Sequence, residues 1–344
     1  MSTTTDTTIT DAPVEHPVLP MASAINQALD VAMGLDPKVF LLGEDIAEPS
    51  GGVYKVTKGL STKYGTARVR KTAISEAAII GAAVGSAIAG YRPVAEIMMM
   101  DFLAVCLDQV TNHAGKIRYM SGGQTPVPMV IRTSAGAGRG FGAQHSELLE
   151  AWMIHTPGIK VVMPSTPADA KGLLLTAIFD DDPVLFIEQM MMYWDVKRFG
   201  GPVPPGDVRI PFGVADIKRS GTDVTLISYG RQVHDCLAAA GQLAQEGIEA
   251  EVVDLRTLVP CDEQAVFASV AKTKRAVVVH EAVTRCGFGA ELSSRIHEEL
   301  FGELAAPVQR VGGATTPVPY ASNLEADFIP QAHDIVAAVK RTIK

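Results

Sequence analysis

The sequence has few cysteines and no excess of positive charge. Its four cysteines, Cys106, Cys236, Cys261 and Cys286, are spread over 344 residues, and none forms a CxxC pair. That excludes a disulfide framework and a paired-cysteine zinc site, and suits a reducing compartment. No stretch has the length and apolarity of a transmembrane helix. The formal net charge is −8, which argues against nucleic acid or an anionic membrane as the main partner. Several catalytic signatures are missing as well. There is no GxxxxGK[ST], because Gly115-Lys116 is followed by Ile117, and there is neither G-x-S-x-G nor HExxH. The glycine-rich GAGRGFG at 136–142 does not match GxGxxG, since Phe141 stands where the last glycine would be.

What is present reads as an ordinary globular chain, 47% hydrophobic and 20% charged, with length enough for two domains. Residues 1–17, rich in threonine and acid, lack the basic start and apolar core of a secretory signal and the arginines of a transit peptide. They are expected to be a disordered tail on a cytoplasmic protein. From residue 18 onward, strands alternate with helices. Apolar strands are expected at 38–45, 91–102, 128–134 and within 160–189. Helices are expected at 20–34, at about 103–119, and after the glycine loop to 155. FGGPVPPGDVRIPFG, 199–213, has a linker's composition. Beyond it the alternation resumes, with IEAEVVDLRTL read as one strand. This predicts an α/β fold of two doubly wound domains, 18–198 and 214–344, joined by 199–213.

The stretch TAISEAAIIGAAVGSAIAGY, 72–91, stands out. After Glu76 comes a run without charge, so the helix is expected to be buried all round. Gly81, Gly85 and Ala89 recur every fourth residue and leave one face nearly bare, open to close approach by another helix, including one from another chain. Glu76 sits at the rim of this dry region. It is either an acid favoured by the helix dipole or a carboxylate awaiting a partner. In open parallel sheets, ligands bind beyond the carboxyl ends of the strands. Glu44, Asp45, Asp101, Phe102 and the loop bearing His145 all follow strands. His145 is either a site residue or a cap for the next helix. His280 and Glu281 line a cleft, cap a helix or form a salt bridge. His113 reads as a satisfied polar residue, and the methionines at 98–100 and 190–192 as filler of the core or an interface.

The succession GED, GGVYKVTKGL, ISEA, GAAVGSAIAGYRPVAE, MDF, DQ-x-x-NHA-x-K-x-RYMSGG, VPMVIRT, QHS-x-x-LEAW, PGIKVVMPSTPADAKGLL and DLRTL-x-P-x-D resembles the β subunits of thiamine-diphosphate-dependent 2-oxo-acid dehydrogenases. These include the pyruvate, branched-chain and acetoin-cleaving types. The resemblance runs from about residue 20 to the C-terminus. It implies a pyrimidine-binding domain followed by a transketolase C-terminal-like domain. It also implies an oxidoreductase that decarboxylates a 2-oxo acid and acylates lipoyl groups. An acetoin-cleaving relative is the alternative, and a non-catalytic assembly subunit is a third reading.

The resemblance assigns roles residue by residue. Glu76, in ISEA, matches the glutamate bonded to the pyrimidine N1′ of thiamine diphosphate, which drives the imino tautomer that deprotonates the thiazolium. Phe102, in MDF, matches the aromatic residue against the pyrimidine, and Glu44 lies at the same cofactor site. His145, in QHS, matches the histidine that moves protons on the thiazolium side and guides the lipoyl group. A structural potassium ion would be held by Met129, Ala177, Ile178, Asp180 and Asp182, although relatives often carry asparagine at the last position. The GDG motif that holds the diphosphate through magnesium is absent. The resemblance therefore implies an α subunit that supplies it, an assembly of two α and two β chains, and contact with a dihydrolipoyl acyltransferase core, in part through TTPVPY at 315–320.

Overall fold

The structure is a computed structural model that describes residues 16–343. Most of the expected tail, residues 1–15, lies outside the described residues. The first sheet has seven strands, in the order Thr257–Val259, Lys160–Val162, Val184–Gln189, Val130–Ala135, Arg92–Met99, Val39–Glu44 and Val69–Thr72. Neighbours run parallel, except that Thr257–Val259 is antiparallel to Lys160–Val162. The strands are apolar on both faces because both are covered. Along Val39–Glu44, Phe40 and Leu42 enter the core that includes the helix Glu76–Ile88. Val39 and Leu41 enter the core beneath the helices Met21–Leu35 and Pro167–Ile178. This is the two-residue alternation of a strand.

Strand order reverses beside Val39–Glu44. The chain runs outward to Val69–Thr72, then returns to lay Arg92–Met99 on the opposite side. The crevice at such a reversal is where open α/β sheets take ligands. Glu44 ends one of the flanking strands, and Asp101 and Phe102 follow the other.

The second sheet has five strands, in the order Gln309–Gly313, Ala276–Val283, Val224–Ser228, Ala250–Asp254 and Asp216–Arg219, with only the last antiparallel to its neighbour. The helices Gln232–Ala244 and Ala332–Ile343 pack on one face. On the other face, Ile227, Val253 and Val278 join the same apolar core as Ile97 and Ile131 of the first sheet. The two domains therefore share one continuous interior.

Four local expectations change. IEAEVVDLRTL is two strands: Ala250–Asp254 stays in the second sheet, and Thr257–Val259 crosses to the edge of the first. The turn between them holds Arg256 at φ 58°, its guanidinium 3.2 Å from Asp169. The helix expected at about 103–119 is three pieces: a 3-10 turn Met100–Cys106, a wide π turn Gln109–Ala114, and Ile117–Met120. Thr111, Asn112 and Gly115 are weak helix formers there. After the glycine loop, only Glu150–Ile154 is helical. The helix Glu76–Ile88 is not buried all round, since Ala78, Gly81, Ala82, Gly85 and Ile88 are exposed within this chain.

Candidate active site

Glu76 opens its helix just beyond the strand Val69–Thr72. It is only 8% exposed. Among the described residues no side chain or backbone group pairs with its carboxylate. The helix dipole offsets part of the cost of burying such a charge, but it leaves the oxygens without a dedicated donor. Two neighbours register the carboxylate. The Cys106 thiol is pushed up to about 12, by burial first and then by Glu76. The Glu44 carboxyl is raised by burial first, then by Glu76, Asp45 and Glu96. Glu44 and Glu76 are thus close enough to feel each other's charge.

Phe102 lies on the turn that also carries Cys106. Its ring meets His145 edge-on, with centroids 5.3 Å apart. Asp101, which the sequence placed at the rim without a role, joins the two segments. One of its oxygens accepts from the Glu147 N–H at 3.4 Å. Its other oxygen is buried and unpartnered, and burial raises the carboxyl while His145 acts in the opposite direction. The available signal was its position directly between a strand and Phe102. His145 does not cap the next helix, which starts only at Glu150.

The glycine loop has all four glycines at positive φ. Its N–H groups point at carboxylates of this same chain: Ala137 donates to Glu281, and Gly138 and Gly140 donate to Glu325. Glu281 therefore binds the loop, and also lies 3.6 Å from Arg231. His280 is fully buried, its Nδ1 3.0 Å from the Ala282 carbonyl oxygen. His113 is half exposed and 3.4 Å from Asp108. Met99, Met100, Met190 and Met192 are core residues.

Ala177, Ile178, Asp180 and Asp182 share one turn, and the Met129 carbonyl accepts from the Val184 N–H just after it at 3.0 Å. Arg92 donates to the carbonyls of Ile178 and Asp180 at 3.2 and 2.8 Å. Lys160 pairs with Asp180 at 2.7 Å and Asp182 at 3.2 Å, and Arg118 pairs with Asp182 at 2.5 Å. The negative charge of the turn is met by these side chains. Among the described residues, no cluster of three or more histidines, cysteines and acids is placed to hold a metal. No described helix is long and apolar enough to cross a membrane.

An open, mostly parallel sheet whose strand order reverses beside Val39–Glu44, with a second α/β domain fused to it, is the frame of a transketolase-like architecture. Residues 18–193 match the family described as transketolase, pyrimidine binding domain, and residues 213–335 match the transketolase C-terminal domain. The chain is 48% identical to the acetoin:2,6-dichlorophenolindophenol oxidoreductase subunit beta of Cupriavidus necator, over 93% of this chain and 96% of that protein. It is 46% identical to the mitochondrial pyruvate dehydrogenase E1 component subunit beta of Homo sapiens, over 93% and 89%. A solved structure described as a split gene transketolase, inactive beta4 tetramer, superposes with a TM-score of 0.77 at 23% identity, over 95% and 99% of the two chains. The chain belongs to the transketolase-like family of β subunits found in pyruvate dehydrogenase E1 components and acetoin oxidoreductases.

Proposed function

We propose that this chain is the β half of a thiamine-diphosphate site that cleaves a 2-oxo acid and passes the acyl group to a lipoyl disulfide. The observation that carries the reading is Glu76: a largely buried side chain whose carboxylate has no protein partner, close to the turn that carries Cys106 and Phe102, where Phe102 in turn meets His145. Such a carboxylate fits a ring nitrogen that shares its proton. When bound, thiamine diphosphate supplies the carbon nucleophile that attacks the substrate carbonyl. Glu76 holds the shared proton at the pyrimidine edge, and Phe102 offers a ring against the pyrimidine face. His145, half-buried at the end of the glycine loop, moves protons on the substrate side. Glu44, with its raised carboxyl, adds a second hydrogen-bonding group at the same edge.

The chain lacks GDG, so the diphosphate and its magnesium belong to an α partner in a tetramer of two α and two β chains. The exposed small-residue face of Glu76–Ile88 supports such packing. A lipoyl domain and its acyltransferase core are the further partners, and the cytoplasm is the compartment, in keeping with four unpaired cysteines. The potassium reading is supported only by the turn that four of its five residues share, with Met129 bonded just after it, and no step is routed through it.

Acetoin cleavage is a second reading, favoured by the similarity to the Cupriavidus necator protein. The test is to co-purify this chain with an α chain carrying GDG, then assay pyruvate, branched-chain 2-oxo acids and acetoin. Turnover of a 2-oxo acid with lipoyl acylation supports the first reading. Turnover of acetoin alone replaces it with the second. Stoichiometric calorimetric binding of thiamine diphosphate by the β chain alone would overturn the division of labour.

A further inference from the structure

We infer that Glu325, assisted by Glu281, is a positioning residue of the second domain that holds the glycine loop 136–142 in the shape that presents His145 to Phe102. This rests on the reading of His145 as part of the site.

The loop is a concave row of backbone donors. Gly136, Gly138, Gly140 and Gly142 have φ of 98°, 111°, 68° and 72°, conformations that cost a side-chain-bearing residue dearly. Two alternate N–H groups, of Gly138 and Gly140, then reach one carboxylate, much as in an anion nest. The anion they meet is Glu325, on the short helix Ser322–Phe328. One of its oxygens accepts from Gly138 at 2.7 Å and from Gly140 at 3.1 Å, and the other accepts from Gly140 at 3.0 Å. Glu325 is 4% exposed and forms no ion pair among the described residues, so its charge is met by the loop N–H groups and the start of its own helix. Glu281 accepts from the Ala137 N–H at 2.7 Å and is fixed by Gln189 at 2.9 Å.

Apolar contacts reinforce the seat. Ala137 is buried in a cluster with Val318, Phe328 and Ile329 of the second domain. A Cβ added to Gly142 would lie 3.5 Å from the Tyr320 ring. A cavity of about 50 Å³ is lined by Ser146–Leu149 together with Glu281, Val318 and Phe328. His145 follows Gly142 by three residues and donates its N–H to the Gly142 carbonyl at 3.4 Å. A chain with four glycines has large conformational freedom to lose. Released from its seat, it would spread the imidazole over many positions, and displacements of about 1 Å suffice to slow a reaction about 100-fold.

The experiment uses the complex with the α chain and the variants Glu325→Ala and Glu325→Gln. Glutamine keeps a carbonyl oxygen able to accept from both glycines. Trypsin reports the loop directly, because Arg139 lies between the two clamped glycines. Glu325→Ala should speed native-state cleavage at Arg139 by about ten-fold or more. It should lower kcat for lipoyl acylation by about ten-fold or more while the KM for thiamine diphosphate and thiazolium proton exchange stay unchanged. Glu325→Gln should recover most of both losses. In a His145→Ala background, Glu325→Ala should slow turnover no further.

Unchanged Arg139 cleavage, unchanged kcat, or an additive loss in the His145→Ala background each overturns the proposal. If Glu325→Ala does not assemble, Glu325→Asp, one methylene short of the loop, takes its place with the same expectations. If the wild-type complex turns over none of the substrates, the reading of the site fails, and Arg139 cleavage still decides whether Glu325 holds the loop.

Discussion

Phe102 and His145 meet edge to face, their ring centroids 5.3 Å apart and their planes at 85°. This is a preferred geometry for two aromatic rings. It joins the turn after Arg92–Met99 to the segment after Val130–Ala135, so one contact spans two neighbouring strand ends. Glu76, on a third element, lies close enough to the same turn to act on the Cys106 thiol. The imidazole is therefore set by an aromatic wall and a glycine loop, while the carboxylate is set by a helix end.

That separation predicts different failures for the two residues. His145→Ala in the assembled enzyme should still bind thiamine diphosphate and exchange the thiazolium proton at a near-normal rate, and should fail in acyl transfer to lipoyl. Removing a half-buried imidazole should cost at most about 1 kcal/mol of stability. Both rates should be measured on one preparation. An equal fall in the two would remove His145 from the role proposed for it.

Glu76→Gln should leave the fold intact, because the side chain is nearly isosteric and the carboxylate has no protein partner to lose. It should lower kcat by about two to four orders of magnitude, since the amide cannot share the ring proton. Thiazolium exchange, followed by NMR in deuterated buffer, is the direct readout. Wild-type exchange in the variant would leave Glu76 as a helix-end acid and no more.

The alternation of strands and helices was legible because each element carries a local apolar pattern, as in KVFLLGED. Glu44, Glu76 and Phe102 were legible because each stands at a strand end or a helix start. The partners of the glycine loop were not. Glu281 meets Ala137 across 144 residues and Glu325 meets Gly138 across 187. Glu325 lies in SNLEADF, which reads locally as any short amphipathic helix. Thr257–Val259 looked continuous with the strand before it, because a chain that changes sheets after a two-residue turn keeps the same apolar composition. The small-residue face of Glu76–Ile88 was legible from the spacing of Gly81, Gly85 and Ala89, but composition alone does not say whether the helix is covered by its own chain, and within this chain that face is exposed.

Arg132 predicts a large loss of stability away from the cofactor edge. It is 2% exposed and forms two bonds to Glu188, at 2.6 and 2.8 Å, and one to Glu96 at 2.8 Å. Arg132→Met strands two carboxylates in the interior and should cost about 3–5 kcal/mol. Arg132→Lys keeps the charge but loses the fork that meets Glu188 twice, so its cost should be smaller but real. Urea unfolding of the purified chain gives both numbers. A loss below about 1 kcal/mol for Arg132→Met would mean that the two carboxylates are hydrated or protonated at little cost.

Two buried groups of the second domain predict opposing pH dependences. Burial, the largest influence, pushes the Asp254 carboxyl up to about 7, with Lys218 acting against it. Between about 3.9 and 7 the folded chain keeps a proton that the unfolded chain has released. The stability from Asp254 is thus fully present below about pH 4 and is lost as pH rises through the raised value. Burial pushes His280 down to about 4. Between about 6.5 and 4 the unfolded chain takes a proton that the folded chain refuses. The stability from His280 is thus present above about pH 6.5 and is lost as pH falls. The two slopes oppose each other over the shared window, and each reaches at most about 1.4 kcal/mol per pH unit. Asp254→Asn should therefore leave a chain that weakens in acid more steeply than wild type, and His280→Gln one that weakens less in acid and more on the way to neutrality. Glu96, Glu281 and Asp235 are also raised, chiefly by burial, and share the sign of Asp254. They are common to all three proteins, so the differences between slopes isolate the two residues. Urea midpoints between about pH 4.5 and 7.5, with the m value checked at each point, measure those slopes. Parallel curves for wild type and both variants would show that neither group changes its protonation on unfolding in that range.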